Sequence, residues 1–298
     1  MKALKRLLAL ASVSHASRAD IFFASIMMDK ELQTELRKRF NPDGSTLRQQ
    51  QLRMLDMLIW FDEICKKYGV RYWLSSGTLL GAVRHGGYIP WDDDLDIDMM
   101  REDYVKLLKV MRNVSHEDYE LQDSSTDSGY FFSYGKLRDK HSYIEENTGY
   151  DRMFSMRGIY FDIITFERMP PLLNKIACMS VGHCYKILNN VKGNEKTARR
   201  KVIAIRWFNN AMLFPVLRLL AKLYRSEWRH RSPGIPYKSR TTYKEIFPTS
   251  TVTFEGYEFP APHDIHGYLQ RMFGDYMSLP DLDNIHPHTE KILFTTAP

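Results

Sequence analysis

The segment Trp73 to Met99, WLSSGTLLGAVRHGGYIPWDDDLDIDM, decides how the chain is read. It opens on apolar residues, turns through Ser75-Ser76-Gly77-Thr78, and closes on Asp92, Asp93, Asp94, Asp96 and Asp98. Leu95 to Met99 alternates apolar and acidic, the period of a half-buried strand. Residues two apart on a strand face the same side. Asp94, Asp96 and Asp98 are therefore expected on one face, joined by Asp92 if the strand reaches back that far. Like charges held this close persist only with a compensating cation or with raised pKa values. A hard divalent ion with oxygen ligands, Mg²⁺ (or Mn²⁺), is the expected compensation.

Upstream, Val70 to Ser75 reads as a strand, and Ser76-Gly77-Thr78 as the turn into a short helix, Thr78 to Arg84. Glycine lets a backbone approach a ligand closely, and the first N–H groups of a helix form an anion site. A phosphate cradle then stands beside an acidic metal site. That is the layout of phosphoryl or nucleotidyl transfer, where catalysis is mostly positioning and charge neutralisation.

The run GTLLGAVRHGGYIPWDDDLDID resembles the LicD family of phosphocholine transferases, related to fukutin and fukutin-related protein within the nucleotidyltransferase-fold superfamily. The shared pattern is a glycine–threonine turn, Gly81, Arg84-His85-Gly86, Pro90-Trp91 and the spaced aspartates. It covers about Leu47 to Phe166, and Phe254 to His288 more loosely. The resemblance implies that Asp94 and Asp96 bind the metal, that a later strand adds a third carboxylate, and that Asp92 fills an acidic family position.

Asp162 is the only charge in Gly158 to Phe166, GIYFDIITF, a β-prone run. A lone carboxylate in a buried strand is costly unless paired or metal-bound. It is read as the third metal carboxylate, with a structural salt bridge as the alternative. Tyr130 to Leu137 is an expected strand, and Lys136 and Arg138, two apart, would share a face; a solvated face competes with phosphate binding, and the resemblance favours Lys136 as a phosphate ligand.

Around these motifs the order is strand–helix–strand–helix, which points to an α+β domain, a nucleotidyltransferase-like mixed sheet flanked by helices. Residues 1–44 read as a helical extension (Lys5 to Ser14, Ala19 to Phe40), 45–170 as the catalytic core, and 171–298 as a largely helical C-terminal region completing the same unit. Ser45 or Thr46 caps a helix with apolar positions Leu52, Leu55, Leu58, Ile59 and Cys65, ended by Gly69. Arg101 to about Met111 is a further helix. Tyr119 to Gln122 and His141 to Glu145 are expected strands, Thr251 to Phe259 a strand or hairpin, and His266 to Phe273 a short helix. His286 and His288 follow the C-terminal phrase FGDYMSLP.

The net charge is +6, but the segment from Lys192 to Lys244 holds 14 Lys/Arg against 2 Asp/Glu, so the basicity belongs to one region. Leu172 to Arg231 is expected to be mostly helical, with Arg218, Lys222, Arg225 and Arg229 as a basic stripe opposite Leu213, Leu217, Leu220 and Trp228. Such a helix could lie in a membrane interface or pack on the core with its basic face in water. No nucleic-acid motif is present. Three cysteines without metal spacing give no disulfide framework. The broken apolar run of the first 20 residues makes a poor signal sequence, and no stretch reaches the roughly 20 apolar residues of a spanning helix. The expected location is the bacterial cytoplasm, peripheral on the inner face of the cytoplasmic membrane if the basic helix docks there.

The resemblance implies an enzyme that moves a phospho-alcohol such as phosphocholine from a CDP-alcohol to a sugar hydroxyl of a glycan or lipopolysaccharide. Gly77 and Thr78 would hold the pyrophosphate, and Asp162 or Asp92 would serve as general base. Arg84, His85 or Lys136 would stabilise charge on the transferred phosphate. Trp91 or Tyr88 would stack on the base or head group, if they are not core residues. Two rivals are nucleotidyl transfer from an NTP and a non-catalytic Ca²⁺ module. The latter lacks the glycine and terminal glutamate of an EF-hand loop: position six from Asp92 is Ile97 and position twelve is Asp103.

Overall fold

The computed structural model describes residues 30–190, 195–237, 239–283, 285 and 289–294. The expected helix Lys5 to Ser14, the first half of Ala19 to Phe40, and His286 and His288 lie outside these. Within them, α1 spans Lys30–Phe40 and α2 Thr46–Tyr68. Ser45 caps α2, its hydroxyl accepting from the Arg48 N–H, and Gly69 ends it at φ 60°, a left-handed conformation favoured by glycine. Next come β1 (Trp73–Leu74), α3 (Ser76–His85), β2 (Asp96–Met100) and α4 (Arg101–Met111). The strands β3 (Tyr119–Gln122), β4 (Gly135–Asp139), β5 (Ser142–Glu146) and β6 (Tyr160–Glu167) follow.

The main sheet runs β1-β2-β6-β4-β3, with only β2 and β6 parallel in that path. Its apolar face meets α2. Met54, Leu58 and Phe61 of the helix and Ile97, Leu137, Phe161 and Ile163 of the strands are fully buried in one core cluster. The alternation read in β2 explains the arrangement: Ile97 and Met99 join that core, so Asp96 and Asp98 project from the other face. The domain is α+β, as expected from element order.

The chain between β6 and the next sheet strand is helical: α5 (Pro171–Asn189), α6 (Glu195–Phe208), a π-turn (Asn209–Leu213) and α7 (Phe214–Ala221). Pro215 has no N–H to give to the preceding turn, and the π-turn takes up the irregularity just before it. The expected basic stripe does not form. The helix stops at Ala221, and Trp228–Arg231 is β7, paired with the end of β6. Arg218 instead pairs with Glu167, and Arg229 donates to the Ser226 and Glu227 carbonyls.

After β7 come β8 (Arg240–Thr242), the hairpin β9 (Ser250–Phe254) and β10 (Tyr257–Ala261), α8 (Ile265–Phe273), and β11 (Thr289–Phe294) against β5. Tyr130 to Tyr134 is not strand, unlike the sequence expectation, and β4 begins only at Gly135. Tyr130 and Phe131 pack with Phe154, Cys184 and Leu188 in a second apolar cluster under α5. Those aromatic residues satisfy a helix face, which β propensity alone does not register.

Candidate active site

The cleft above β2 and β6 has a volume of about 790 Å³, and its lining includes Ser76, Gly77, Asp92, Asp94, Asp96 and Asp162. In the parallel β2–β6 pair Asp96 stands opposite Asp162. The Asp162 N–H donates to the Leu95 carbonyl (2.9 Å), and the Asp96 N–H donates to Thr78 Oγ1 (2.8 Å). Thr78 is thus a positioning residue that ties α3 to the start of β2; it does not line the cleft. Asp94 precedes the strand in a loop. That loop is held from α2, where the buried Gln51 donates to the Asp92 carbonyl (2.9 Å) and Gln50 to that of Asp93 (2.7 Å). A lone glutamine gives no sequence signal for such a clamp.

Gly77 leaves no room for a side chain at the edge of the cleft. A Cβ at this position would sit 2.7 Å from Asp92 Oδ2. Ser76, just before it, has φ 49°, a left-handed conformation that costs a non-glycine residue energy. Strain at the start of α3 brings its first amides, which have no partners within the helix, to the cleft beside the aspartates.

The electrostatics follow from crowding. Burial and then the charges of Asp94, Asp162 and Asp98 push Asp96 well above the usual carboxylate range. Burial raises Asp92 to about 7, partly offset by its hydrogen bond with Asp94. Asp162 is raised by burial, but the Lys136 ammonium, 2.7 Å from its Oδ1, pulls the other way. Lys136 lies over the Tyr160 ring (3.3 Å) and is 2% exposed in side chain. It addresses Asp162 and is not on the cleft wall, so the phosphate contact expected of it is replaced by an ion pair.

Asp98, fully buried, is closed off by Arg231 and by the Tyr268 hydroxyl (2.7 Å). It shares the face of Asp96 as expected, but it anchors these two residues and is not available to an ion. Arg231 and Tyr268, with Tyr237, Arg240 and Arg271, line the same cleft as the aspartates. The sequence reading missed all five. A buried Asp98 demands a cationic partner, yet nothing local names one 133 residues away.

Four expected substrate contacts lie elsewhere. Arg84 donates to His85 Nε2 (2.9 Å) and to the carbonyls of Tyr276 and Ser278 (both 2.9 Å). His85 Nδ1 bonds Gln33 Oε1 (2.8 Å), and burial with the nearby Arg84 and Arg37 charges lowers its pKa to about 3. Trp91 packs edge-on against Phe40 and His85, and Tyr88 is buried against Phe254. These are packing and tethering residues: Arg84 and His85 stand in the last turn of α3, about 10 Å along the axis from Gly77, and their side chains are taken up by the Tyr276 and Ser278 carbonyls and by Gln33.

Among the described residues no group of three or more His, Cys, Asp or Glu side chains is arranged to hold a metal ion by itself. Lys136 takes one oxygen of Asp162, so the three-carboxylate set expected from the sequence is not closed. The residues fit Mg²⁺ in its other usual mode, one or two carboxylates with the remaining positions filled by substrate phosphate and water. Asp94 and Asp96 would be that pair; burial first, and then the crowding of Asp94, Asp162 and Asp98, raises the proton affinity of Asp96.

Residues 69–167 match the description "LicD/FKTN/FKRP, nucleotidyltransferase domain". The chain is 27% identical over 267 residues to the lipopolysaccharide cholinephosphotransferase LicD of Haemophilus influenzae, covering 82% of this chain and 96% of that one. A 35-residue stretch is 63% identical to human ribitol 5-phosphate transferase FKRP, 12% of this chain and 7% of that protein. Over 85 residues it is 31% identical to mannosyltransferase regulator 4 of Saccharomyces cerevisiae, 28% of this chain and 7% of that protein. No helix among the described residues is long and apolar enough to cross a membrane.

Proposed function

We propose that the chain, whose residues 69–167 match the LicD/FKTN/FKRP nucleotidyltransferase domain, is a transferase moving a phospho-alcohol, such as phosphocholine, from a CDP-activated donor to a sugar hydroxyl of a glycan. The observation that carries this reading is the meeting of three parts in one cleft: the strained α3 start at Ser76-Gly77, the carboxylates Asp92, Asp94 and Asp96, and the basic residues Arg231, Arg240 and Arg271. An acidic floor under a basic wall suits a magnesium-bound diphosphate, which carries charge of both signs. The similarity to a cholinephosphotransferase along most of the chain supports the reaction class.

Asp94 and Asp96 would hold Mg²⁺, which when bound neutralises the diphosphate and the leaving CMP. The first amides of α3 bind a phosphate oxygen, with no side chain at Gly77 to keep it out. Arg240 and Arg271 face the same space and stabilise charge on the transferred phosphate. Asp92, with its pKa near 7, accepts the proton of the acceptor hydroxyl as that oxygen bonds to the alcohol-bearing phosphorus and CMP departs. Asp162 is committed to Lys136, which leaves Asp92 as the base of choice. Arg231, anchored by Asp98, fixes the wall.

Incubation with Mg²⁺ and a panel of CDP-alcohols, with free or lipid-linked glycan present, tests the proposal. Metal-dependent CMP release with label passing to the glycan is the expected result. Pyrophosphate release from an NTP, with no CMP from any CDP-alcohol, would replace it with nucleotidyl transfer.

A further inference from the structure

The helical insertion carries an apolar face turned away from the protein. From α6 through the π-turn into α7 the backbone is one continuous rod, roughly 40 Å long at helical rise. Along its outer side Trp207, Phe208, Met212, Val216, Leu219, Leu220 and Leu223 are exposed, recurring at three- and four-residue steps. Trp207 is 66% exposed, Leu219 62% and Leu223 82%. On α5, which packs against this rod through Ala177 and Val181, the residues Leu172, Ile176 and Met179 are also exposed. Exposed apolar patches of this extent are uncommon on a soluble monomer and mark interaction surfaces.

Charge identifies what covers it. Between Arg168 and Ser226 the sequence has 12 Lys/Arg and a single acidic residue, Glu195. Arg200 and Lys201 are exposed at one end of the apolar row, Lys222 and Arg225 at the other, and Lys175 is exposed on α5. A second copy of this face would meet its own positive ends. Residues 1–29 hold four Lys/Arg against two Asp, which is the same sign. An anionic bilayer surface complements both features: headgroups for the basic ends, and the acyl boundary for Trp207 and the leucines between them.

We propose that the insertion Pro171–Leu223 docks the protein on an anionic membrane surface, with the row from Trp207 to Leu223 sunk into the interface. The interface is not the basic helix read from sequence, since Arg218 and Arg229 face inward partners and the apolar row itself provides the contact. The insertion leaves the sheet at β6 and returns as β7, the strands that carry Asp162 and Arg231, so the docked surface adjoins the catalytic sheet.

Flotation of the full chain with vesicles tests this without any reference to catalysis. One set is phosphatidylcholine alone; the other contains about one-third phosphatidylglycerol, to supply anionic headgroups. The expected result is binding to the anionic set, at least about ten-fold weaker to the neutral set, and release at high salt. The variant W207S/L219S/L223S, and separately R200E/K201E/K222E/R225E, should each lower binding at least about ten-fold with unchanged circular dichroism, because every altered side chain is exposed. Three outcomes would overturn the proposal. The chain stays in solution with anionic vesicles; or the serine variant binds as well as the unaltered chain; or the face instead makes a dimer in sedimentation that W207S/L219S/L223S dissolves.

Discussion

The catalytic sheet and the helical insertion treat their side chains in opposite ways. In the sheet, charge is inside: Asp98 with Arg231, Asp162 with Lys136, and Asp96 crowded by its neighbours. In the insertion, hydrocarbon is outside, from Trp207 to Leu223. Each arrangement costs free energy relative to the ordinary one. What distinguishes them is how the cost is met. The sheet pairs its charges within the chain and leaves a deficit only in the cleft, whereas the insertion leaves its debt to something beyond the chain.

This contrast can be broken by substitution. The largest effect is expected from Asp96→Asn, which removes charge from the cleft floor: transfer should fall by about 10³-fold, on the order of other losses at charge-stabilising groups, while thermal unfolding hardly changes. A variant retaining most of its activity would move the chemistry elsewhere. Next, Arg231→Met strands Asp98 in the core and should cost about 3–5 kcal/mol in denaturant unfolding. Adding Asp98→Asn should recover part of this, because both members of the buried pair are then neutral.

Two pH profiles sharpen the comparison. Asp92 has its pKa raised to about 7, so it holds its proton below neutrality and cannot accept another. Turnover should drop about ten-fold per pH unit below 7, and Asp92→Asn should leave a low, flat profile. His85 works on stability and in the opposite sense of shift. Its folded pKa of about 3 lies below the ordinary 6.5, so the unfolded chain binds the extra proton between those values. Its contribution is intact above 6.5 and is lost as pH falls toward 3, by at most about 1.4 kcal/mol per unit. Guanidine titrations across that range should show a gentler slope for His85→Gln. The smallest effect belongs to the insertion: Leu223→Ser should change unfolding by no more than about 0.5 kcal/mol, as for other exposed positions.

Much of the sheet was legible because its signals are local. Alternation in β2, the cap and stop of α2 at Ser45 and Gly69, and the apolar run of β6 each sit within a few residues. Gly77, Asp92, Asp94, Asp96 and Asp162 were legible as a group for the same reason, and they share one cleft. The basic wall was not. Arg231 reaches the site as part of a strand that returns after the whole insertion, and Tyr268 comes from α8. Arg84 and His85 misled because a motif does not say what its side chains bond: α3 presents Gly77 to the cleft, while Arg84, two turns further on, is taken up by the Tyr276 and Ser278 carbonyls. The basic stripe failed because helical spacing continues on paper past Ala221, where the backbone turns into β7.

Arg84 and the hairpin tip have one more consequence. The carbonyls of Tyr276 and Ser278 receive Arg84, and Glu255 holds the Tyr88 amide (3.0 Å) and Arg48 (2.6 Å). All three acceptors fall after residues 69–167, which match the family domain, and Arg48 falls before them. A fragment cut at residues 69 and 167 would therefore lose the fasteners of its own most recognisable loop: the domain that marks the family is smaller than the unit that holds itself together.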